Sequence, residues 1–272
     1  MKYLLLLIAA LALAGAGCHS APLTAPAASR LSAPPAPGGV PERSEGGVGA
    51  AAAPLRLDPA TLPLEITRGN PAIKAVAITI DDGPHPAFTP QILTILAQHH
   101  VHVTFFVVGK MVAQDKKLVL AEQAAGNLVE NHTYNHLDLK QLSKTSPDTV
   151  RKEIERNQQT LEPILGAAPQ FLRPPAGHTN DQVDQIARSL GLTTVLYRTK
   201  SDFGQKDPQV IYHQALAHLN NGQMNGTIIL LHDGVPATLI ALPKIIETLQ
   251  QRGYKLETIA EMARDLGGKV QG

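Results

Sequence analysis

From about Leu64 to the end of the chain, short and almost unbroken apolar runs alternate with longer amphipathic stretches. The runs AVAITI (75–80), VTFFVVG (103–109), NLVE (127–130), QFLRP (170–174), TTVLYR (193–198), TIILLH (227–232) and YKLETI (254–259) are rich in Val, Ile, Leu and Thr. Most of them lack polar alternation, as expected of strands in a parallel sheet whose crossover helices cover both faces. Helix signals lie between them. Thr89-Pro90 predicts an N-cap and first helical residue, Ser146-Pro147 opens a helix closed by Gly166, and Asn180 caps one closed by Gly191. Asp207-Pro208 opens another, and the stretch from Pro243 ends at Gly253. Seven strand–helix repeats predict an α/β fold, a distorted (β/α) barrel with about seven parallel strands. An open doubly wound sheet is the alternative. No Gly-rich loop follows its first strand, which weakens a nucleotide-binding version of that sheet.

The first 55 residues follow another pattern. MKYLLLLIAALALAGAGC (1–18) has a basic start at Lys2, an apolar run and then small residues. This predicts an export signal, and the run is short for a membrane span. It ends at Cys18, the only cysteine of the chain, so no intrachain disulfide can form. Small residues before a lone cysteine resemble a bacterial lipoprotein signal. That reading predicts lipidation of Cys18 and a mature chain tethered to a membrane in the cell envelope, on its periplasmic or outer surface. An ordinary signal peptide with an incidental Cys18 is the alternative. Residues 19–55 are mostly Ala, Pro, Gly and Ser. They carry too little apolar surface to fold and predict a disordered linker, which leaves 56–272 as the folded domain.

With 272 residues, 43% of them hydrophobic, the chain can bury one large core. A net charge of +1, from 24 basic and 23 acidic residues, does not indicate a nucleic-acid face. Having no Trp, the chain cannot build a glycan groove of stacked indoles.

The polar residues that interrupt this pattern fall at or just after strand ends. Asp81 and Asp82 follow the first strand, His132 and His136 the third, Arg173 the fourth, Asp202 the fifth, and His232 and Asp233 end the sixth. In barrels of this type the C-terminal strand ends converge on the face that holds the active site. His132 and His136 are four apart, a spacing that puts both imidazoles on one side and suits a metal chelate. Thr133 stands where a metalloprotease helix has its Glu, so this pair brings no built-in base. With Asp82 as third ligand the set fits catalytic Zn²⁺ with open positions, and the same triad also serves non-haem iron. Asp81 is then free to act as a base, held ionised by Arg173. Arg173 in a structural ion pair and His232 as a satisfied core histidine are the plainer readings. The sharper one makes His232 a general acid oriented by Asp202.

Together TIDDGP, HTYNH, RPPAG, KSDF and LLHD resemble, in order, the five motifs of the polysaccharide deacetylase family. It is also called the NodB-homology domain or carbohydrate esterase family 4. The likeness runs from about Ala75 to Leu266. It implies a distorted (β/α) barrel that removes N- or O-acetyl groups from polysaccharides with a divalent metal, most often Zn²⁺, with Co²⁺ or Ni²⁺ as alternatives. By resemblance Asp81 is the base, Asp82, His132 and His136 the metal ligands, and Arg173 the holder of the base. Asp202 orients the acid His232, Leu230 lines the acetyl pocket, and the Ala176 N–H serves the oxyanion. Four positions depart from the family pattern: Ala176 replaces a large, often aromatic residue, Thr199 an acidic one, Phe203 a Trp, and Glu130 a Gly. The implied partner is an acetylated glycan such as peptidoglycan, chitin fragments, another exopolysaccharide or acetylated xylan, and the protein is expected to be a monomer. The rival readings are a catalytically silent glycan-binding lipoprotein, an O-acetyl esterase on the same fold, and an iron-dependent oxygenase.

Overall fold

The computed structural model describes residues 55–200 and 202–271. The predicted export signal, Cys18 and the linker as far as residue 54 lie outside the described residues.

Among the described residues nine strands form one sheet: β1 (Glu65–Ile66), β2 (Ala75–Asp81), β3 (Thr104–Val107), β4 (Leu128–Asn131), β5 (Phe171–Leu172), β6 (Thr193–Val195), β7 (Thr199–Lys200), β8 (Thr227–His232) and β9 (Lys255–Leu256). All pair in parallel, in the order β1-β6-β5-β4-β3-β2-β8-β7, with β9 against β2. The seven strands expected from the apolar runs are all present, and the short β1 and β7 add to them. Among the described residues no pairing joins β1 to β7, and the barrel they form is incomplete. The strand β8 follows β2 from Val76 to Asp81, while the other edge of β2 is shared by β9 at its start and β3 at its end. The sheet therefore curls around β2, the strand that ends at Asp81.

Residues of β2 alternate between two cores, which explains why the strand is buried throughout. Val76, Ile78 and Ile80 face outward against α1 (Thr89–His99), α7 (Pro208–Ala215) and α8 (Pro236–Gln251). Ala77 faces inward with Phe106, Phe171, Val195 and Ile228. Below them α9 (Ile259–Asp265) closes the N-terminal end of the strands, and the Ile259 N–H donates to Thr104 Oγ1 at the start of β3. A third core joins α4 (Leu139–Ser143), α5 (Pro147–Leu165) and α6 (Asp181–Ser189). At the start of the described chain Leu57 is fully buried and exchanges backbone hydrogen bonds with the Gln170 amide.

Caps at Asn180 and Asp207 occur as the sequence predicts, each accepting a backbone N–H of its helix. Two helix starts differ. Thr89 is not a cap, because its hydroxyl accepts the His85 N–H and donates to Asp233 instead. Helix α8 starts at Pro236 and runs through Pro243, since one buried face continues from Ala237 to Leu249 and outweighs the lost backbone bond. The helices α2 (Gly109–Val112) and α3 (Lys116–Ala124) fill the β3–β4 crossover. No helix among the described residues is long and apolar enough to cross a membrane.

Candidate active site

A cleft of about 230 Å³ opens at the C-terminal ends of the strands. Asp81, Asp82, His132, His136, Ala176, Leu230 and His232 all line it, with Gly177, His178, Tyr197 and Phe203. Parallel pairing brings these scattered positions together: Asp81 on β2 is in register with His232 on β8 and with Phe106 on β3.

Asp81 and Asp82 diverge within one residue. Asp81 still follows the strand and points into the barrel, where it is 2% exposed. Asp82 has φ 73°, and this left-handed turn sends its carboxylate out toward the histidines. Asp82 Oδ1 lies 3.3 Å from His132 Nε2 and 3.1 Å from His136 Nε2. It is buried, yet makes no hydrogen bond of acceptable geometry. Burial pushes this carboxyl up, but the two imidazoles outweigh it and hold it far below the usual carboxylate range.

His132 Nδ1 lies 2.7 Å from the Arg173 carbonyl, which can only accept. Nδ1 therefore carries a proton, and in the neutral ring Nε2 is left with the lone pair that a cation beside Asp82 would take. Oxygen and nitrogen donors from Asp82, His132 and His136 all lie within 4.8 Å of one another. Lone pairs crowded around a buried, unbonded carboxylate oxygen fit a cation, and two imidazoles with one carboxylate suit Zn²⁺. No other such cluster occurs among the described residues.

The loop carrying the two histidines is held from behind. Thr133 and His136 both have positive φ, 63° and 60°. Thr133 Oγ1 accepts the His136 N–H at 3.1 Å, and Asn131 Oδ1 accepts the Thr133 N–H at 2.8 Å. From α5, Glu153 accepts the Asn135 N–H at 2.7 Å and the Asn135 side-chain amide at 2.6 Å.

Arg173 is fully buried in the barrel. Its Nη1 donates to Asp81 Oδ1 at 3.0 Å and to Thr79 Oγ1 at 2.6 Å, while Nε and Nη2 donate to the Val195 and Leu196 carbonyls. One Asp81 oxygen is thus committed, and the other, Oδ2, faces His132 Nε2 at 3.8 Å. Opposite stands His232, whose Nδ1 lies 2.6 Å from Asp202 Oδ1. Asp202 Oδ2 accepts the His232 backbone N–H at 2.6 Å and the Thr238 hydroxyl at 2.7 Å. Burial alone would lower the His232 pKa. The Asp202 bond and the charges of Asp202, Asp81 and Asp82 reverse that, and the imidazole is raised to about 8.

Ala176 sits in a turn after β5 with φ 56°. Its N–H makes no hydrogen bond within the described protein, and its carbonyl accepts from Tyr197 Oη at 3.1 Å. Leu230 is nearly buried in the wall beside it. Phe203 stands 77% exposed at the rim, its ring 6.0 Å from that of His232. Glu130 lies inside the barrel, where its Oε2 accepts the Gln170 and Phe171 N–H groups at 2.8 Å each. Burial outweighs these bonds and the charge of Arg56, pushing the carboxyl up to about 8.

Sequence reasoning missed Thr79, Thr238, Glu153 and Tyr197. Each is an ordinary residue within a regular pattern, and only the fold turns it toward the site. Asp233 lies beneath the first loop, where it accepts from Thr89 and from the His85 N–H at 3.2 Å, and does not line the cleft.

A family model for polysaccharide deacetylase matches residues 68–195. The chain is 35% identical over 195 residues to a peptidoglycan-N-acetylglucosamine deacetylase of Bacillus cereus, covering 70% of this chain and 89% of that protein. It is 33% identical over 199 residues to the Listeria monocytogenes enzyme PgdA, covering 73% of this chain but only 40% of that longer protein. Among solved structures, a carbohydrate esterase family 4 pseudoenzyme from Bacillus anthracis superposes with a TM-score of 0.67 at 28% identity, over 73% of this chain and 68% of that one. With its incomplete parallel barrel and these matches, the chain belongs to the polysaccharide deacetylase family.

Proposed function

We propose that the protein is a metal-dependent hydrolase that removes acetyl groups, N-linked ones in particular, from a polysaccharide. The bond cleaved is a carbon–nitrogen bond other than a peptide bond. The observation that carries this reading is the convergence of three ligand atoms within 4.8 Å beside Asp81, in the cleft that His232 also lines. Asp82, His132 and His136 would hold a divalent ion, Zn²⁺ by donor type. When bound it supplies a Lewis acid for the acetyl carbonyl and makes water more acidic.

The chain's own groups do the rest. Asp81 Oδ2 takes the proton of the attacking water, while Arg173 holds Oδ1 by a charge-assisted hydrogen bond. The free Ala176 N–H donates to the oxyanion as charge develops on the acetyl oxygen. Leu230 bounds the space for the acetyl methyl. His232, raised to about 8, is an imidazolium at neutral pH and gives its proton to the leaving nitrogen. Acetate and a free amine are the products.

The substrate class is an N-acetylglucosamine polymer. Peptidoglycan is favoured by the activity that the Bacillus cereus relative is named for, and the export and Cys18 anchoring expected from the N-terminal sequence would bring the protein to that substrate. The pseudoenzyme relative makes a silent glycan-binding protein the rival reading. The full set of base, acid, ligand and oxyanion donor favours catalysis. The test is acetate release from peptidoglycan, N-acetylglucosamine oligomers and acetylated xylan by protein stripped of metal and reloaded with Zn²⁺ or Co²⁺. Release restored by metal on an N-acetylated glycan is expected. Release from xylan alone would make the protein an O-acetyl esterase, and none on any substrate with metal bound would favour the silent binder.

A further inference from the structure

Residue 176 gives the cleft wall only a methyl group, and the turn that carries it needs support from elsewhere. Ala176 holds φ 56° and Gly177 φ 68°, two successive left-handed residues, the first without a glycine's freedom. Such a turn persists only where its surroundings over-determine it. The Ala176 side chain is exposed and contributes nothing of that kind.

Tyr197 supplies the support. It stands two residues beyond the end of β6, where the backbone crosses from one neighbour to another: the Leu196 N–H donates to Ile66 and the Arg198 N–H to Ile228. The residue is thus anchored on both sides. Its ring packs against the inner core and lies 5.5 Å from the Arg173 guanidinium, the group that holds Asp81. Its hydroxyl donates to the Ala176 carbonyl at 3.1 Å. The ring also packs closely against residue 177, whose positive φ already favours glycine: a Cβ there would stand 3.0 Å from Tyr197 Oη and 3.1 Å from Cε1. Hydroxyl and ring together fix the turn from the cleft side.

We propose that Tyr197 is a positioning residue for the Ala176 N–H. By holding the carbonyl of the same residue it restrains the turn on which the orientation of the unbonded N–H at the cleft wall depends. The same ring stands in the wall where residue 176 has no bulk. The proposal rests on the deacetylase reading for the use of that N–H, and on geometry alone for the positioning.

The test is Tyr197→Phe, which keeps the ring and removes the one hydrogen bond. An oxyanion donor acts in the transition state, so kcat should fall about threefold to tenfold with KM within about twofold, the range of one neutral hydrogen bond. In the same variant the Ala176 amide, followed by nitrogen-15 NMR, should shift and exchange faster, with the melting temperature close to wild type. Wild-type kcat with an unmoved amide overturns the proposal. A rise in KM with kcat unchanged overturns it too, since Tyr197 would then be a plain substrate contact. If the wild-type protein releases no acetate from any glycan, the functional reading has failed, and the amide measurement still decides the positioning by itself.

Discussion

Replacing Asp202 by Asn tests how the site sets the charge of His232, the proposed acid. Asp202 is fully buried and uses both oxygens: Oδ1 meets His232 Nδ1, and Oδ2 accepts from the His232 backbone and from Thr238. An amide has only one accepting oxygen, and the two donors at Oδ2 claim it. The NH₂ group then faces His232 Nδ1, which must accept rather than donate. His232 loses its hydrogen-bonded anionic partner, and burial, which favours the neutral ring, is then opposed only by the more distant charges of Asp81 and Asp82. Its pKa should drop from about 8 to the ordinary 6.5 or below.

The magnitude follows. A rise from 6.5 to about 8 corresponds to about 2 kcal/mol favouring the folded imidazolium. The His232 side chain is only 13% accessible, so solvent screens this little. Because the folded value is raised, the stabilisation is fully present below about 6.5 and is lost as pH rises through about 8. In Asp202→Asn that pH-dependent stability should vanish. The alkaline limb of the kcat profile should move to lower pH by at least about one unit, and activity at pH 7.5 should fall by about tenfold, the ratio of protonated His232 at a pKa of about 8 to that at about 6.5. A bound cation offsets part of the carboxylate field, which places the wild-type limb below 8 without changing the direction of the variant's move. Profiles of kcat and of melting temperature from pH 5 to 9 are the assay. An Asp202→Asn protein that keeps the wild-type alkaline limb would refute the acid role of His232.

The other predictions concern the base, the ligands, their support and the barrel interior. Asp81→Asn should lower kcat at least about a hundredfold while zinc still binds with near wild-type affinity, so lost zinc binding would mean that Asp81 is a ligand instead. Chelation should abolish acetate release and Zn²⁺ or Co²⁺ restore it, whereas His136→Ala should stay inactive at matched metal concentration. Glu153→Ala removes both bonds to Asn135 and should weaken zinc about tenfold to a hundredfold in a competition titration, and unchanged affinity would count against the role of α5. Glu130→Gln removes a carboxyl that burial pushes up to about 8. Free Glu ionises near 4.5 in the unfolded chain, so wild type should lose stability as pH rises from 4.5 to 8, and the variant should overtake it by a few kcal/mol. Parallel melting curves across that range would disprove it.

What could be read in the sequence was set by how local the signal is. The strand runs were legible because both faces of each strand are buried, so almost every residue is apolar; in β2 one face meets the helices and the other the barrel interior. The candidate residues that line the cleft were legible because a charged group at the end of such a run has no packing reason to be there. Thr79 escaped notice because a threonine inside an apolar strand is unremarkable, and only the fold gives its hydroxyl partners, the Ile229 carbonyl and Arg173, 94 positions away. Glu153 sits on an amphipathic helix among other acids and bases, and its selection depends on a loop that arrives from β4. Thr89 carried a valid cap signal, yet tertiary contacts with His85 and Asp233 took its hydroxyl. Helix α8 was cut short because Pro243 is a local breaker, whereas the buried face that overrides it is long-range.

The adjacent carboxylates Asp81 and Asp82 show how the fold turns a local conflict into a division of labour. In a continued strand successive side chains point to opposite faces, so a following Asp82 would have entered the outer apolar core with no partner for its charge. The left-handed turn at Asp82 prevents that by ending the strand there. Each carboxylate then acquires its own positive environment: Asp81 the Arg173 guanidinium inside the barrel, Asp82 the two histidines and the cation their lone pairs suit. Environments of different kind separate the functions of like groups, since one carboxylate is fixed by a permanent charge and the other by a removable one. It follows that stripping the metal should perturb Asp82 and the histidine loop while leaving the Asp81–Arg173 pair intact. In metal-free protein the Arg173 side-chain signals should therefore match those of the loaded form, and a large change there would mean that the two carboxylates are not independent.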